Sequence, residues 1–278
     1  MGGVKTRGSE APPAAPVQGR GPRSIVRQAF RLEERFVSLG QPGSLEADQY
    51  RMLRCELDYL RKDRSLSVVA VTSPGVAEGK TTTAINLAGT LAQDPRARVL
   101  LVDADLRRPS VGRLVGFGER TDGPGLTGAI LEPGRPLASV VRERPAFNLW
   151  VLPAGPPRSL PFELLRSPRL GELLQEARER FDFVVVDTPP LLLLPDCRAL
   201  AERVDGFLLV VAANKTPRRS VAAALSALDE QKTIGIVYNN DSHPPSSYHE
   251  YYQHYYAAPA ASAAKRPGTG RRWSWPWQ

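Results

Sequence analysis

A chain of 278 residues with 42% hydrophobic residues can hold one large or two small domains with a core. None of its apolar runs approaches the ~20 residues a membrane-spanning helix needs, and the first residues carry no apolar leader stretch, so a soluble, cytosolic protein is expected. The net charge of +8 is modest and comes without an aromatic-basic nucleic-acid pattern. The two cysteines, Cys55 and Cys197, suggest neither a disulfide framework nor a metal pair.

Residues 1–23 are rich in Pro, Gly, Ala and Arg, show no periodicity and are expected to be disordered. Residues 24–43 read as an amphipathic helix and linker. Ile25, Val26, Ala29, Phe30, Leu32, Phe36 and Val37 recur at roughly helical spacing with arginines between them. Such a helix either packs on the following domain or lies on a membrane surface. The main domain is expected over 44–240, opening with a helix at 44–62 capped by Ser44. Strand, loop and helix follow at about 67–93, and a second strand at about 98–103. A stretch punctuated by Gly and Pro, roughly 109–160, contains a short helix near 126–131 and the apolar strand FNLWVLPAG. A helix near 162–179 leads into FDFVVVD. A helix at about 196–203, the strand GFLLVVAA, a helix at about 218–230 and the strand TIGIVYNN complete the domain. This alternation predicts an α/β fold: a doubly wound, mainly parallel, P-loop NTPase-like sheet with helices on both faces. Right-handed crossovers then bring every parallel strand's C-terminus to one edge, where such folds bind ligands. Residues 241–278 read as a flexible, tyrosine-rich tail.

That edge carries the chemistry. The loop TSPGVAEGKTTT follows an apolar strand and precedes a helix, which suits backbone N–H groups wrapping phosphates at a helix N-terminus. Gly75, Glu78, Gly79, Lys80, Thr81 and Thr82 are assigned to nucleotide binding. Lys80 is expected to reach the β- and γ-phosphates, and Thr81 to offer its hydroxyl to magnesium. The usual spacing wants glycine five residues before Gly79; Pro74 stands there, and Gly75 comes one residue late. Asp103 and Asp105 end one strand and Asp187 another. One acid after a strand is often only a helix cap. Three at one edge, beside a lysine, suit Mg2+ and ATP. Asp105 and Asp187, with Thr81, are assigned to the metal. Lys80, Asp103 and Asp105 are assigned to catalysis, Asp103 facing the incoming hydroxyl, although the motif does not divide the roles of Asp103 and Asp105. Tyr248, Tyr251, Tyr252, Tyr255 and Tyr256 crowd the tail, so a nucleotide site is joined to a run of phosphorylatable hydroxyls. A self-modifying kinase is the reading.

The combination TSPGVAEGKTTTAINLA, VLLVDADLRRP and FDFVVVDTPP resembles the bacterial tyrosine kinases of capsule and exopolysaccharide synthesis, over about residues 40–256. VLLVDADLRRP resembles that family's modified second Walker motif and FVVVDTPP its Walker B. The tail resembles its autophosphorylation cluster. The resemblance implies ATP-dependent phosphorylation of the tail tyrosines in trans. It also implies a ring-like homo-oligomer and a separate membrane activator that recruits the chain to the inner face of the cell membrane; no nucleic acid is expected. Asp48, Arg51 and Arg54 stand where the family has E-x-x-R-x-x-R, a subunit contact, with Asp replacing Glu. Their spacing of three puts them on one helix face, which also suits a merely solvated charged surface. Asn239 falls where relatives of this fold contact the base, and Asn is also a common turn residue. Lys215 matches a family loop or is a surface lysine. Arg107 and Arg108 suit either transition-state charge or an acidic neighbouring subunit.

Two other readings fit parts of the pattern. Min- or Par-type ATPases share the sheet and loop but carry an additional lysine early in the loop, where this chain has Ser73, Pro74 and Gly75. A non-catalytic nucleotide-binding regulator of polysaccharide assembly would not need Lys80 and all three acids. Independently of either, the alternating aromatic and polar residues of the tail also suit an added strand or a membrane anchor.

Overall fold

The computed structural model describes residues 35–118 and 123–241. The expected disordered segment 1–23, the greater part of the helix at 24–39 and the five tail tyrosines lie outside the described residues.

A seven-stranded sheet forms in the order β3-β4-β2-β5-β1-β6-β7. Its strands are β1 (Val68–Thr72), β2 (Val99–Asp103), β3 (Arg142–Arg144), β4 (Leu149–Leu152), β5 (Phe183–Asp187), β6 (Gly206–Ala212) and β7 (Thr233–Asn239). All neighbours pair in parallel except β3, which runs antiparallel to β4 at the edge. Every residue of β1, β2, β5 and β6 is buried, which is why those segments read as unbroken apolar runs rather than as alternation.

Two apolar clusters lie on the two faces of the sheet. One gathers Val69, Val71, Leu101 and Val185 with Phe36, Leu57 of helix α2 (Leu45–Asp63) and Ile85, Leu87 and Leu91 of α3 (Lys80–Leu91). The other gathers Val68, Ala70, Leu100 and Val184 with Leu126, Leu173, Leu200 and Ala224. These four come from α5 (Gly125–Leu131), α7 (Pro168–Arg180), α8 (Asp196–Leu200) and α9 (Arg218–Ala227). Adjacent strand residues thus feed opposite layers, as the pleat requires.

Ser44 caps α2, its hydroxyl accepting the Ala47 N–H at 3.1 Å. Ahead of α2, the described part of the expected 24–39 helix is a single turn, α1 (Val37–Gly40). Phe36 is 1% exposed in the core, and Asn86 of α3 accepts the Ser38 N–H at 3.0 Å. This part is therefore packed on the domain.

The helix expected near 162–179 is two helices, α6 (Pro161–Arg166) and α7. Pro168 has no N–H to continue the first helix and takes the first position of the second, where Ser167 accepts the Arg169 N–H at 3.2 Å. The helices expected at 196–203 and 218–230 stop at Leu200 and Ala227. The sequence reading missed β3 and the one-turn helix α4 (Val111–Leu114). The Arg-Glu-Arg of β3 has no apolar alternation to announce it.

Candidate functional site

Because β1, β2 and β5 are parallel neighbours, their C-terminal ends converge. Register pairs Asp103 with Asp187 and Val71 with Asp187, so the loop after β1 meets the acids of β2 and β5 directly. That loop, Ser73–Gly79, leads into α3 at Lys80. Gly79 sits at φ +97°, in the left-handed region, and a Cβ there would lie 1.9 Å from the Asn239 side-chain nitrogen. Only glycine fits that turn. The first turn of α3, Lys80-Thr81-Thr82-Thr83, is rich in β-branched residues that favour strands. Its position over the sheet, not its propensity, makes it helical.

Lys80 Nζ lies 2.8 Å from Asp105 Oδ2 and 3.7 Å from Asp187 Oδ1. The Thr81 hydroxyl donates to Asp187 Oδ2 at 2.7 Å. Asp105 Oδ1 accepts the Arg108 N–H at 3.0 Å. Asp103 Oδ2 accepts the N–H groups of Ser110 and Val111 at 2.9 and 3.0 Å, so this acid also serves the start of α4 as a cap. Asp103 Oδ1 and Asp187 Oδ1 are buried without a hydrogen-bond partner.

Three buried carboxylates surround one ammonium among the described residues, and Asp103, Asp187 and Lys80 titrate accordingly. Burial, then the neighbouring Asp187 charge, push Asp103 up to about 8. Burial raises Asp187 to about 6, against the pull of Lys80 and the Thr81 hydrogen bond. Burial works against the charge on Lys80, but Asp187 and Asp105 outweigh it and raise its pKa. The cluster is short of positive charge and holds carboxylate oxygens without donors, which fits a divalent cation. Among the described residues no three acidic, histidine or cysteine side chains form a ready-made metal cage. Mg2+ does not need one: it keeps several waters and takes one or two carboxylates together with phosphate oxygens. Thr81 and Asp187 could supply such ligands, with Asp105 adjacent.

The remaining loop residues divide clearly. Gly75 donates its N–H to Glu78 Oε2 at 2.8 Å, so the Glu78 side chain braces the loop. Asn239 does not stand apart at a strand end: its side-chain amide donates to the Glu78 carbonyl at 3.0 Å, directly over Gly79. Thr82 follows in the first turn of α3. Lys215 is no idle surface lysine; it donates to the carbonyls of Ala77 and Val76 at 2.7 and 3.3 Å. Arg107 forms a two-pronged pair with buried Asp196 at 2.7 and 3.1 Å, tying the loop after β2 to α8. Sequence reading missed Asp196 and also Thr216, whose hydroxyl donates to Glu78 Oε1 at 2.7 Å; Arg107 and Glu78, the partners that matter, are far away in the chain.

Asp48, Arg51 and Arg54 lie on α2. Arg51 pairs with Asp48 and with the Pro42 carbonyl. Arg54 reaches the end of α3, donating to the Thr90 carbonyl at 3.2 Å and lying 3.8 Å from Asp94. Arg54 therefore has an internal task, whereas Arg51 holds only its own helix entry. Of the described tyrosines, Tyr50 is half-buried, and desolvation raises its pKa. Tyr59 and Tyr238 are exposed, at 61% and 62%.

Comparison with known proteins gives a consistent set. A family model described as an AAA domain matches residues 67–229. The chain is 37% identical over 211 residues to Tyrosine-protein kinase YwqD of Bacillus subtilis (strain 168), covering 75% of this chain and 87% of that protein. It is 34% identical over 204 residues to Succinoglycan biosynthesis transport protein ExoP of Rhizobium meliloti (strain 1021). That match takes in 71% of this chain but only 25% of the longer relative. The kinase domain of Escherichia coli tyrosine kinase ETK superposes with a TM-score of 0.68 at 27% identity, over 76% of this chain and 82% of that one.

Proposed function

The chain belongs to the bacterial tyrosine-kinase family and is a protein-tyrosine kinase, and on that premise we propose that it phosphorylates the tyrosines of its own C-terminal segment, one subunit acting on another, in exopolysaccharide or capsule synthesis. The observation that carries this reading is the meeting of Lys80 and Thr81, on the first turn of α3, with Asp105 and Asp187 at the ends of β2 and β5.

In this reading Lys80 moves from Asp105 to the β- and γ-phosphates as the loop N–H groups take the triphosphate. Thr81 and Asp187 would hold Mg2+, with Asp105 assisting directly or through water; bound there, the metal would supply charge neutralisation for the phosphates. Asp103 receives the tyrosine proton through Oδ1, which has no hydrogen-bond donor among the described residues. Asn239, fixed on the loop through its amide nitrogen, turns its oxygen to the base.

In sequence the tail follows β7, whose last residue touches the phosphate loop. A substrate segment that follows such a strand suits exchange between neighbouring subunits in a closed, head-to-tail ring. Tail phosphates would then repel one another and favour disassembly. Among the described residues no helix is long and apolar enough to cross a membrane. Recruitment to the inner face of the cell membrane is assigned in this reading to a separate activator; the relative ExoP is named for polysaccharide transport. The test is incubation with MgATP, with and without a candidate membrane partner, followed by phosphotyrosine mapping. Phosphate on Tyr248, Tyr251, Tyr252, Tyr255 or Tyr256 supports the reading, and ATP consumption without phosphotyrosine overturns it.

A further inference from the structure

Glu78 is the sole acid in the segment from Ser73 to Thr81, and it is only 5% exposed. A carboxylate among N–H groups that receive phosphate is an electrostatic liability. It competes for the donors and repels the incoming anion. In this chain both of its oxygens are engaged. Oε2 accepts from the Gly75 N–H at 2.8 Å and Oε1 from the Thr216 hydroxyl at 2.7 Å. Thr216 is itself fixed, since its oxygen accepts the Ala212 N–H at 3.0 Å. The preceding Lys215 holds the carbonyls of Ala77 and Val76. Asn214 turns the chain at φ +56°, and Ala77 within the loop sits at φ +55°, a left-handed conformation that an alanine keeps only when its surroundings hold it. The turn after β6 thus grips the loop after β1 at three points.

We propose that Thr216 is a positioning residue for the nucleotide. Its hydroxyl keeps the Glu78 carboxylate on Gly75 and the β6–α9 turn, and so leaves the remaining loop N–H groups to phosphate. The inference rests on the kinase reading of the site. Without the hydroxyl, Oε1 of a nearly buried carboxylate loses its partner. The donors left within its own loop are the N–H groups that serve phosphate.

The test is calorimetric titration with MgADP, alongside initial rates at varied ATP, on the full chain. Thr216→Val keeps the shape and removes the hydroxyl. Loss of a hydrogen bond to a charged group weakens MgADP binding and raises the ATP KM about tenfold, with kcat changed less than about threefold. Thr216→Ser, which restores the hydroxyl, stays within about threefold of the parent. Adding Glu78→Gln to Thr216→Val removes the competing charge and recovers most of the lost affinity; a purely structural contact would give added losses instead. Circular dichroism checks folding, and if the valine variant does not fold, Thr216→Ala carries the same expectations. The proposal is overturned if the Val or Ala variant binds MgADP like the parent, if the Ser variant is as weak as they are, or if Glu78→Gln deepens the defect. Failure of the parent chain to bind MgADP would instead overturn the nucleotide site itself.

Discussion

Thr81 and Asp187, 106 residues apart in the chain, face each other across the sheet edge with the hydroxyl donating to the carboxylate at 2.7 Å. One stands on the first turn of α3 and the other ends β5, so this contact joins the end of the phosphate loop to the acids proposed for the metal. Asp187→Asn is expected to remove most of the Mg2+ dependence of nucleotide binding. Asp103→Asn, whose carboxylate faces backbone N–H groups of α4, is expected to spare binding while suppressing transfer. Titrations with ATP at varied Mg2+ separate the two, and equal losses of binding would contradict the division of roles.

Lys80→Met is expected to reduce phosphotyrosine formation by at least about 100-fold, because a preorganised charge on the transferring phosphates is lost. The structure adds a second effect. Lys80 neutralises Asp105 and Asp187, both buried, so its loss leaves carboxylates without their cation, at a cost of about 3 kcal/mol where they are ionised. The metal-free variant should therefore melt below the parent at neutral pH and recover as the medium is acidified. Unaltered melting across that range would show that the pairing contributes nothing.

The Asp205 carboxylate accepts the N–H groups of Ser67 and Val68 at 2.8 and 2.7 Å and pairs with Arg178, anchoring the start of β1. Burial alone would raise its pKa, but Arg178 and the two N–H groups outweigh burial and hold it below the usual 3.8. The unfolded chain then takes up the proton first as pH falls. The stabilisation is present above about pH 4 and disappears as pH falls through the folded value. Asp205→Ala is expected to cost about 1 kcal/mol at pH 7, roughly 3 °C in Tm, and less at pH 3. A deficit that grows towards pH 3 would contradict this sign.

The two arginines of α2 separate stability from assembly. Arg54 ties α2 to the end of α3, so Arg54→Ala should lower Tm. Among the described residues Arg51 pairs with Asp48 and the Pro42 carbonyl alone, and Arg51→Glu should leave Tm within about 2 °C, as usual for surface changes. If the ring assembles through this face, Arg51→Glu shifts the mass of the unphosphorylated protein towards monomer. An unchanged large oligomer would remove Arg51 from the interface.

Much of this architecture is legible in the residues because local chemistry and tertiary position agree. Ser44 caps the helix it precedes, and Asp103 and Asp187 end, with Asp105 just beyond, strands that are otherwise apolar because both faces are covered. Gly79-Lys80-Thr81 announces the phosphate loop. Other features depend on partners the chain does not place nearby. Glu78 meets Thr216 across 138 residues and Arg107 meets Asp196 across 89, so their braces have no local signal. The break at Pro168 was hidden by an apolar pattern that runs on through both helices, and the edge strand β3 by its charged sequence. Arg54 reads as a surface charge until α3 is packed beside it.

The central claim is that the site at Lys80 and Asp187 transfers phosphate to the tail tyrosines of another subunit. It is tested by mixing two variants with MgATP and mapping phosphotyrosine by mass spectrometry. One variant carries Phe at 248, 251, 252, 255 and 256 with an intact site; the other carries Lys80→Met with an intact tail. The account predicts that the Lys80→Met chains acquire phosphate on the tail tyrosines only in the mixture, while the five-Phe chains stay essentially unlabelled. Labelling of Tyr59 or Tyr238 on the five-Phe chains, or an unlabelled tail in the mixture, would contradict it.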